Sequence, residues 1–339
     1  MRHAKTADTM AIDASPATHQ RQHRHQTHQE WLRWGKRLLM GIFLVLVPWL
    51  LYQLIQNLDW AEVTTAIGSF SGTTLLLAVA AAFTSYFIYT GFDLLGRHYT
   101  GHHLPARQII PVTFVCYAFN LNLSAWVGGI ALRYRLYSRL GLDLATITRI
   151  LSFSLITNWL GYVLVAGVVF SMRVVRLPAS WELGATGLQW LGFALIAVGV
   201  CYLLACRFSS QREWHIRGHE ITLPEWHIAL LQAVLGAVNW LLMASVIFLL
   251  LPDKASYPAV LSILLIASIA GVISHIPAGL GVLETVFITM LQHQFSHGTL
   301  MAALIGYRAI YFLLPLAIAV IVYLVLEKNA KKLARKNAA

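Results

Sequence analysis

Long apolar runs that carry almost no charge decide what this chain folds into. They lie at Leu38 to Gln56, Leu75 to Thr90, Ile150 to Met172, Gly187 to Cys206, Ile228 to Leu251, Pro258 to Ser274, Leu280 to Leu291 and Leu300 to Leu326. A membrane-spanning helix needs about 20 such residues, fewer where interfacial residues complete it. With 58% hydrophobic and 12% charged residues, too little polar surface is left to solvate these runs in water. Apart from residues 91–149, which hold a further, interrupted apolar segment, the longest stretch between them, Arg207 to His227, is too short for a soluble domain. The expectation is an all-α, polytopic membrane bundle over residues 38–326, flanked by basic tails at 1–37 and 327–339, with about eight transmembrane segments by hydropathy.

A net charge of +11 would suggest a nucleic-acid partner in a soluble protein. Here the charge sits in loops and tails, where the excess of Lys and Arg on the cytoplasmic side of membrane proteins accounts for it, and no nucleic acid is expected. Seven Lys or Arg precede the first run and five follow the last, so both termini are expected in the cytoplasm. The first run has no small-residue cleavage site and reads as an uncleaved signal anchor.

Two apolar segments are interrupted by glycines and polar groups. They are Asn120-Leu-Asn-Leu-Ser-Ala-Trp-Val-Gly-Gly-Ile-Ala-Leu-Arg133 and Ile273-Ser-His-Ile-Pro-Ala-Gly-Leu-Gly-Val-Leu-Glu284. A helix broken inside a bilayer frees backbone groups, which is tolerated only where protein or a water-filled cavity surrounds them. If Ile109 to Leu132 crossed fully, 17 Lys and Arg would lie inside and 7 outside; if it turns back at Gly128-Gly129, the division is 21 and 3. The re-entrant path fits the charge rule better. The second broken element then enters from the opposite side, giving six full crossings, two re-entrant elements and an expected inverted repeat. Asn158-Trp159-Leu160 and Asn239-Trp240-Leu241, in the adjoining spans, are a weak internal echo of that repeat.

Interrupted segments in both halves point to a transporter-type binding site. Glu284 and Arg308 each stand in an apolar run, where a charge costs about 2.5 to 3.5 kcal/mol. Two readings stand: a structural pair that holds the broken helix, or a direct role at a ligand. Arg133 follows Gly128-Gly129, and guanidinium groups and glycine-exposed amides both suit phosphate oxygens. Arg135 and Arg139 share one helical face, and Arg139 and Arg149 read as snorkelling arginines. Asn120, Ser124, Gly279 and Gly281 complete the candidate substrate-binding set, the first two also suited to satisfying unwound backbone. Asn158 and Asn239 read as inter-helix polar contacts, and His275 as a satisfied polar group at a bend.

Cys116, Cys201 and Cys206 all fall in apolar segments and form neither a disulfide framework nor a metal pattern. The His-rich stretch His19 to His28 sets no metal geometry, and neither metal nor cofactor is expected. No D-x-D, H-E-x-x-H, nucleophile elbow or nucleotide-binding loop appears, which places a membrane-embedded head-group transferase behind a transporter.

The broken segments resemble the lysylphosphatidylglycerol-synthase transmembrane-region family, also called the flippase-like domain family, over about residues 35 to 330. The resemblance is carried by Ser-Ala-Trp-Val-Gly-Gly-Ile-Ala-Leu-Arg133-Tyr-Arg-Leu-Tyr-Ser-Arg139-Leu-Gly, Thr-Asn-Trp-Leu-Gly161, and Ile-Pro-Ala-Gly-Leu-Gly-Val-Leu-Glu284 with Tyr307-Arg308. It implies a lipid-handling domain of the bacterial inner membrane, with anionic lipids as partners and flippase- or scramblase-like movement as activity. Docking to a separate phospholipid-synthesising enzyme is the alternative. Ile130 stands where the family often has glutamate, which leaves Arg133 without an acid in its own motif. No segment holds the family's soluble aminoacyl-transferase domain, so lysyl transfer is not expected.

Overall fold

The computed structural model describes residues 60–123, 129–174, 184–209, 213–216, 219–252, 255–274 and 276–337. The expected first span, Leu38 to Gln56, lies outside them, as do Ser124, Gly128 and His275. Among the described residues the bundle is helical: α1 (Trp60–Gly68), α2 (Gly72–Thr100), α3 (Ala106–Asn122), α4 (Leu132–Arg139), α5 (Leu144–Ser171), α6 (Gly184–Phe208), α7 (Trp226–Leu250), α8 (Tyr257–Ser274), α9 (Val282–Leu291), α10 (His297–Tyr307) and α11 (Leu314–Asn337). A small antiparallel hairpin, β1 (Glu213–Ile216) with β2 (His219–Thr222), joins α6 to α7. A π-helical turn, Arg308–Leu313, runs α10 into α11 without a break in the rod.

Six helices among these residues are long and apolar enough to cross a membrane: α2, α5, α6, α7, α8 and the continuous rod His297–Lys328. Of the eight hydropathy runs, Leu38 to Gln56 lies outside the described residues and Leu280 to Leu291 is too short to span, so the described residues hold six. Leu280 to Leu291 folds as α9, a helix of 10 residues, because left-handed backbone at Gly279 and Gly281 delays its start. Apolar side chains stay exposed along the outer faces, including Trp190 and Phe193 of α6 and Ile321 and Leu324 of α11. Such surface is ruinous in water and ordinary against lipid.

Caps set the helix ends. Ser71 accepts the Thr74 N–H at 3.0 Å, Asp143 the Thr146 N–H at 3.0 Å and Ser296 the Thr299 N–H at 3.2 Å. Each supplies one of the acceptors that the first turn of a helix lacks.

The first broken element doubles back. A Cβ at Gly129 would stand 2.8 Å from Asn120 Oδ1, and Thr113 meets Tyr137 at 3.3 Å, so α4 returns antiparallel along α3. Tyr134 on α4 meets Thr148 near the start of α5 at 2.6 Å, which keeps the hairpin mouth at the end of the bundle where α2 stops. The second element, α8 and α9, opens at the other end. There Ser71 and Thr74 at the start of α2, Leu249 to Pro252 at the end of α7, and Thr299 of α10 line one cavity. The two hairpins therefore enter the bundle from opposite ends.

Close backbone contact fixes the centre. A Cβ on Gly161 of α5 would lie 2.1 Å from the Gly236 carbonyl carbon of α7, and one on Gly236 2.3 Å from the Thr157 carbonyl oxygen. Only glycine at both positions lets these helices touch. The Asn-Trp-Leu runs meet here as well: Trp240 Nε1 donates to the Asn158 carbonyl at 3.1 Å, and Gln232 donates to Thr157 Oγ1 at 2.9 Å.

Candidate functional site

The second break is held by one ion pair. Ala278 (φ 55°), Gly279 (φ 56°) and Gly281 (φ 80°) all take left-handed backbone, which disfavours Ala and ends the helical hydrogen-bond ladder. The Arg308 guanidinium collects what the ladder drops, donating to the Ala278 carbonyl at 3.0 Å and the Gly279 carbonyl at 3.1 Å. The same group donates to both Glu284 oxygens, Nε to Oε1 at 2.5 Å and Nη2 to Oε2 at 3.2 Å. Glu284 Oε2 in turn accepts the Gly281 N–H at 2.9 Å and so caps α9. The structural reading of this pair is thus present in full. The Arg308 side chain nonetheless keeps 15% of its surface open, with Phe312 below its plane at 5.3 Å.

The first break is organised around a residue that the motif reading passed over. Asp93, in the second half of α2, is fully buried and accepts Arg133 Nη2 at 2.7 Å, Thr113 Oγ1 at 2.8 Å and the Tyr137 hydroxyl at 2.7 Å. It supplies from another helix the acid that Ile130 does not. Burying a carboxylate away from solvent is costly without such partners. Arg133 is 2% exposed, and its Nε finds no acceptor among the described residues.

A chain of buried hydroxyls and rings joins the two breaks. Tyr89 stacks on Tyr117 at 3.6 Å between ring centres. The Tyr117 hydroxyl meets the Tyr311 hydroxyl at 3.0 Å, and Tyr311 meets Ser85 Oγ at 2.6 Å, which donates to Asn239 Oδ1 at 2.8 Å. Tyr311 lies in the π-turn that begins at Arg308, and its carbonyl accepts the Tyr86 hydroxyl at 3.1 Å. Asn122, at the inner end of α3, donates to the Phe312 carbonyl in the same turn at 3.1 Å. The inner end of the first hairpin thus rests on the turn that carries the arginine of the second.

Glu284, Arg308, Gly279 and Gly281 come together as one cluster, while Arg133, Gly129 and Asn120 belong to the other. Arg135 and Arg139 instead reach Glu327 on α11, Arg135 at 3.3 Å. The signal for Asp93 was available: a lone acid in an apolar helix asks for a cation, and Arg133 lacked an acid in its own motif. Nothing in the sequence announces the π-turn or its tyrosines.

Six long apolar helices, two opposed broken hairpins and an arginine–carboxylate pair at each break define a multi-pass integral membrane protein built on interrupted helices. The family profile described as the lysylphosphatidylglycerol synthase TM region matches residues 37–319. The chain belongs to that family. It is 49% identical over 315 residues to the inner membrane protein YbhN of Escherichia coli (strain K12), covering 93% of this chain and 99% of that protein. It is also 32% identical over 268 residues to the uncharacterized protein slr0712 of Synechocystis sp., covering 78% of this chain and 83% of that protein.

Proposed function

We propose that this protein is a bacterial inner-membrane transporter of flippase or scramblase type, moving an anionic phospholipid or another lipid-linked phosphate between leaflets. The observation that carries the reading is the placement of Arg133–Asp93 and Arg308–Glu284 at two broken hairpins that enter from opposite ends. Phosphate and carboxylate both accept paired N–H bonds from a guanidinium, so a head group exchanges with Glu284, or with Asp93 while Thr113 and Tyr137 keep that carboxylate hydrogen-bonded, without leaving the arginine unpaired. Arg308 also releases the Ala278 and Gly279 carbonyls when it turns to a phosphate, which couples head-group capture to movement of the break. Gly128, Gly129, Asn120, Ser124, Gly279 and Gly281 supply the backbone freedom and polar groups of the passage.

We place both termini in the cytoplasm, with the α3–α4 hairpin opening there and the α8–α9 hairpin opening outside. We read that arrangement as an inverted repeat, a reading supported by the opposed entry of the two hairpins. The test is transbilayer movement of head-group-labelled phosphatidylglycerol in liposomes holding the purified protein, beside protein-free liposomes. Movement above the protein-free rate supports transport. Its absence, with folded protein and several anionic lipids, favours a membrane partner of a phospholipid-synthesising enzyme.

A further inference from the structure

At the last turns of α2, one helical turn beyond Asp93, a cavity of about 380 Å³ is lined by Leu94, Arg97, His98, Gly101 and His102. It stands apart from both ion-paired breaks. We infer that this cavity is a phosphate-binding site that takes the head group of an anionic lipid at the membrane surface. It rests on the transport reading only for its role as the loading point ahead of Arg133.

The site is cationic and unspent. The Arg97 guanidinium meets no carboxylate among the described residues, and the nearby Asp93 is already held by Arg133, Thr113 and Tyr137. His102 Nδ1 accepts the Leu104 N–H at 3.3 Å, which fixes the neutral imidazole as its Nε2–H form. Nε2 is buried without an acceptor among the described residues. A donor in that position asks for an oxygen, and it is present without protonation of the ring. Arg97 adds a fork matched to two phosphate oxygens.

Position selects the ligand. With 29 residues at about 1.5 Å each, α2 outruns a hydrocarbon core of about 30 Å, so its final turns reach the level of lipid phosphates. The volume lies within the range of about 300 to 1,000 Å³ typical of small-molecule sites. Asp93 and Arg97 are four residues apart on one helical face, so a phosphate held at Arg97 lies one turn from the arginine partner of Asp93.

The test is binding, kept separate from movement. Purified full-length protein in non-ionic detergent is titrated calorimetrically with dihexanoyl-phosphatidylglycerol, inorganic phosphate and phosphate-free dihexanoylglycerol, using wild type, R97Q, H102A and H102Q. Phosphatidylglycerol is expected to bind wild type, to weaken at least tenfold in R97Q and H102A, and to recover in H102Q, whose amide keeps a donor near Nε2. Phosphatidylglycerol affinity unchanged in R97Q and H102A, or dihexanoylglycerol binding as tightly, overturns the site. Inorganic phosphate binding as tightly as phosphatidylglycerol overturns its assignment to lipid. If wild type moves lipid no faster than protein-free liposomes while R97Q loses binding, the transport reading falls and the site stands.

Discussion

Asp93 and Arg133 stand 2.7 Å apart across 40 residues of chain, and the pair fastens the first broken hairpin to the side of α2. With Asp93 fully buried and Arg133 nearly so, neither charge survives alone. D93A or R133A is expected to cost about 3–5 kcal/mol by leaving its partner uncompensated. The apolar double variant D93L/R133M is expected to recover a large part of that loss. Thermal unfolding in detergent checks this, and a double variant as unstable as the sum of the singles contradicts it.

At the second break the two partners have separable roles. E284Q keeps an acceptor for the Gly281 N–H and is expected to fold with near-normal stability. R308K keeps the charge but loses the planar fork that meets Glu284 together with two carbonyls. Hydrogen exchange at residues 279–285 is therefore expected to rise in R308K and to stay low in E284Q.

The α5–α7 crossing tolerates no side chain at its contact. G161A and G236A each force backbone apart rather than displacing a flexible side-chain end, and each is expected to destabilise by about 1–3 kcal/mol or more. G271A, whose Cβ would find only Gly279 Cα at 3.8 Å, is the control. A melting-temperature comparison of the three variants settles the ranking.

His102 makes stability depend on pH. Burial first, then Arg97, hold its imidazole below the ordinary value against the opposing effect of Asp93, with His103 adding least. The unfolded chain therefore takes up this proton at a higher pH than the folded one. The contribution of neutral His102 is full above the unfolded value of about 6.5 and declines as pH falls below it. Melting temperature in wild type is expected to drop more between pH 7.5 and 5.5 than in H102Q. An equal drop removes His102 from the effect.

Local signals made much of this legible. The helical class followed from the apolar runs, and the Pro-Ala-Gly-Leu-Gly break with Glu284 and Arg308 could be read because its glycines and its acid lie within a few residues. The charge count favoured a hairpin at the first break, and Gly129 does pack back on Asn120. Asp93 was missed because its partner is set by tertiary packing, and because it sits just past an apolar run that was read as ending at Thr90. The Asn-Trp-Leu echo marked the right helices, but their contact depends on Gly161 meeting Gly236, which no single-helix pattern displays. The π-turn at Arg308–Leu313 follows from tyrosine and asparagine side chains reaching its carbonyls from α2 and α3, so it has no signature of its own.

The most direct measurement compares wild type, E284Q and the double variant D93N/R133Q in liposomes matched for protein content, following transbilayer movement of head-group-labelled phosphatidylglycerol. Wild type is expected to move the lipid well above the protein-free rate, with both variants at least tenfold slower. Variants as fast as wild type would contradict a passage built on the two ion-paired breaks, and a wild type no faster than protein-free liposomes would contradict transport itself.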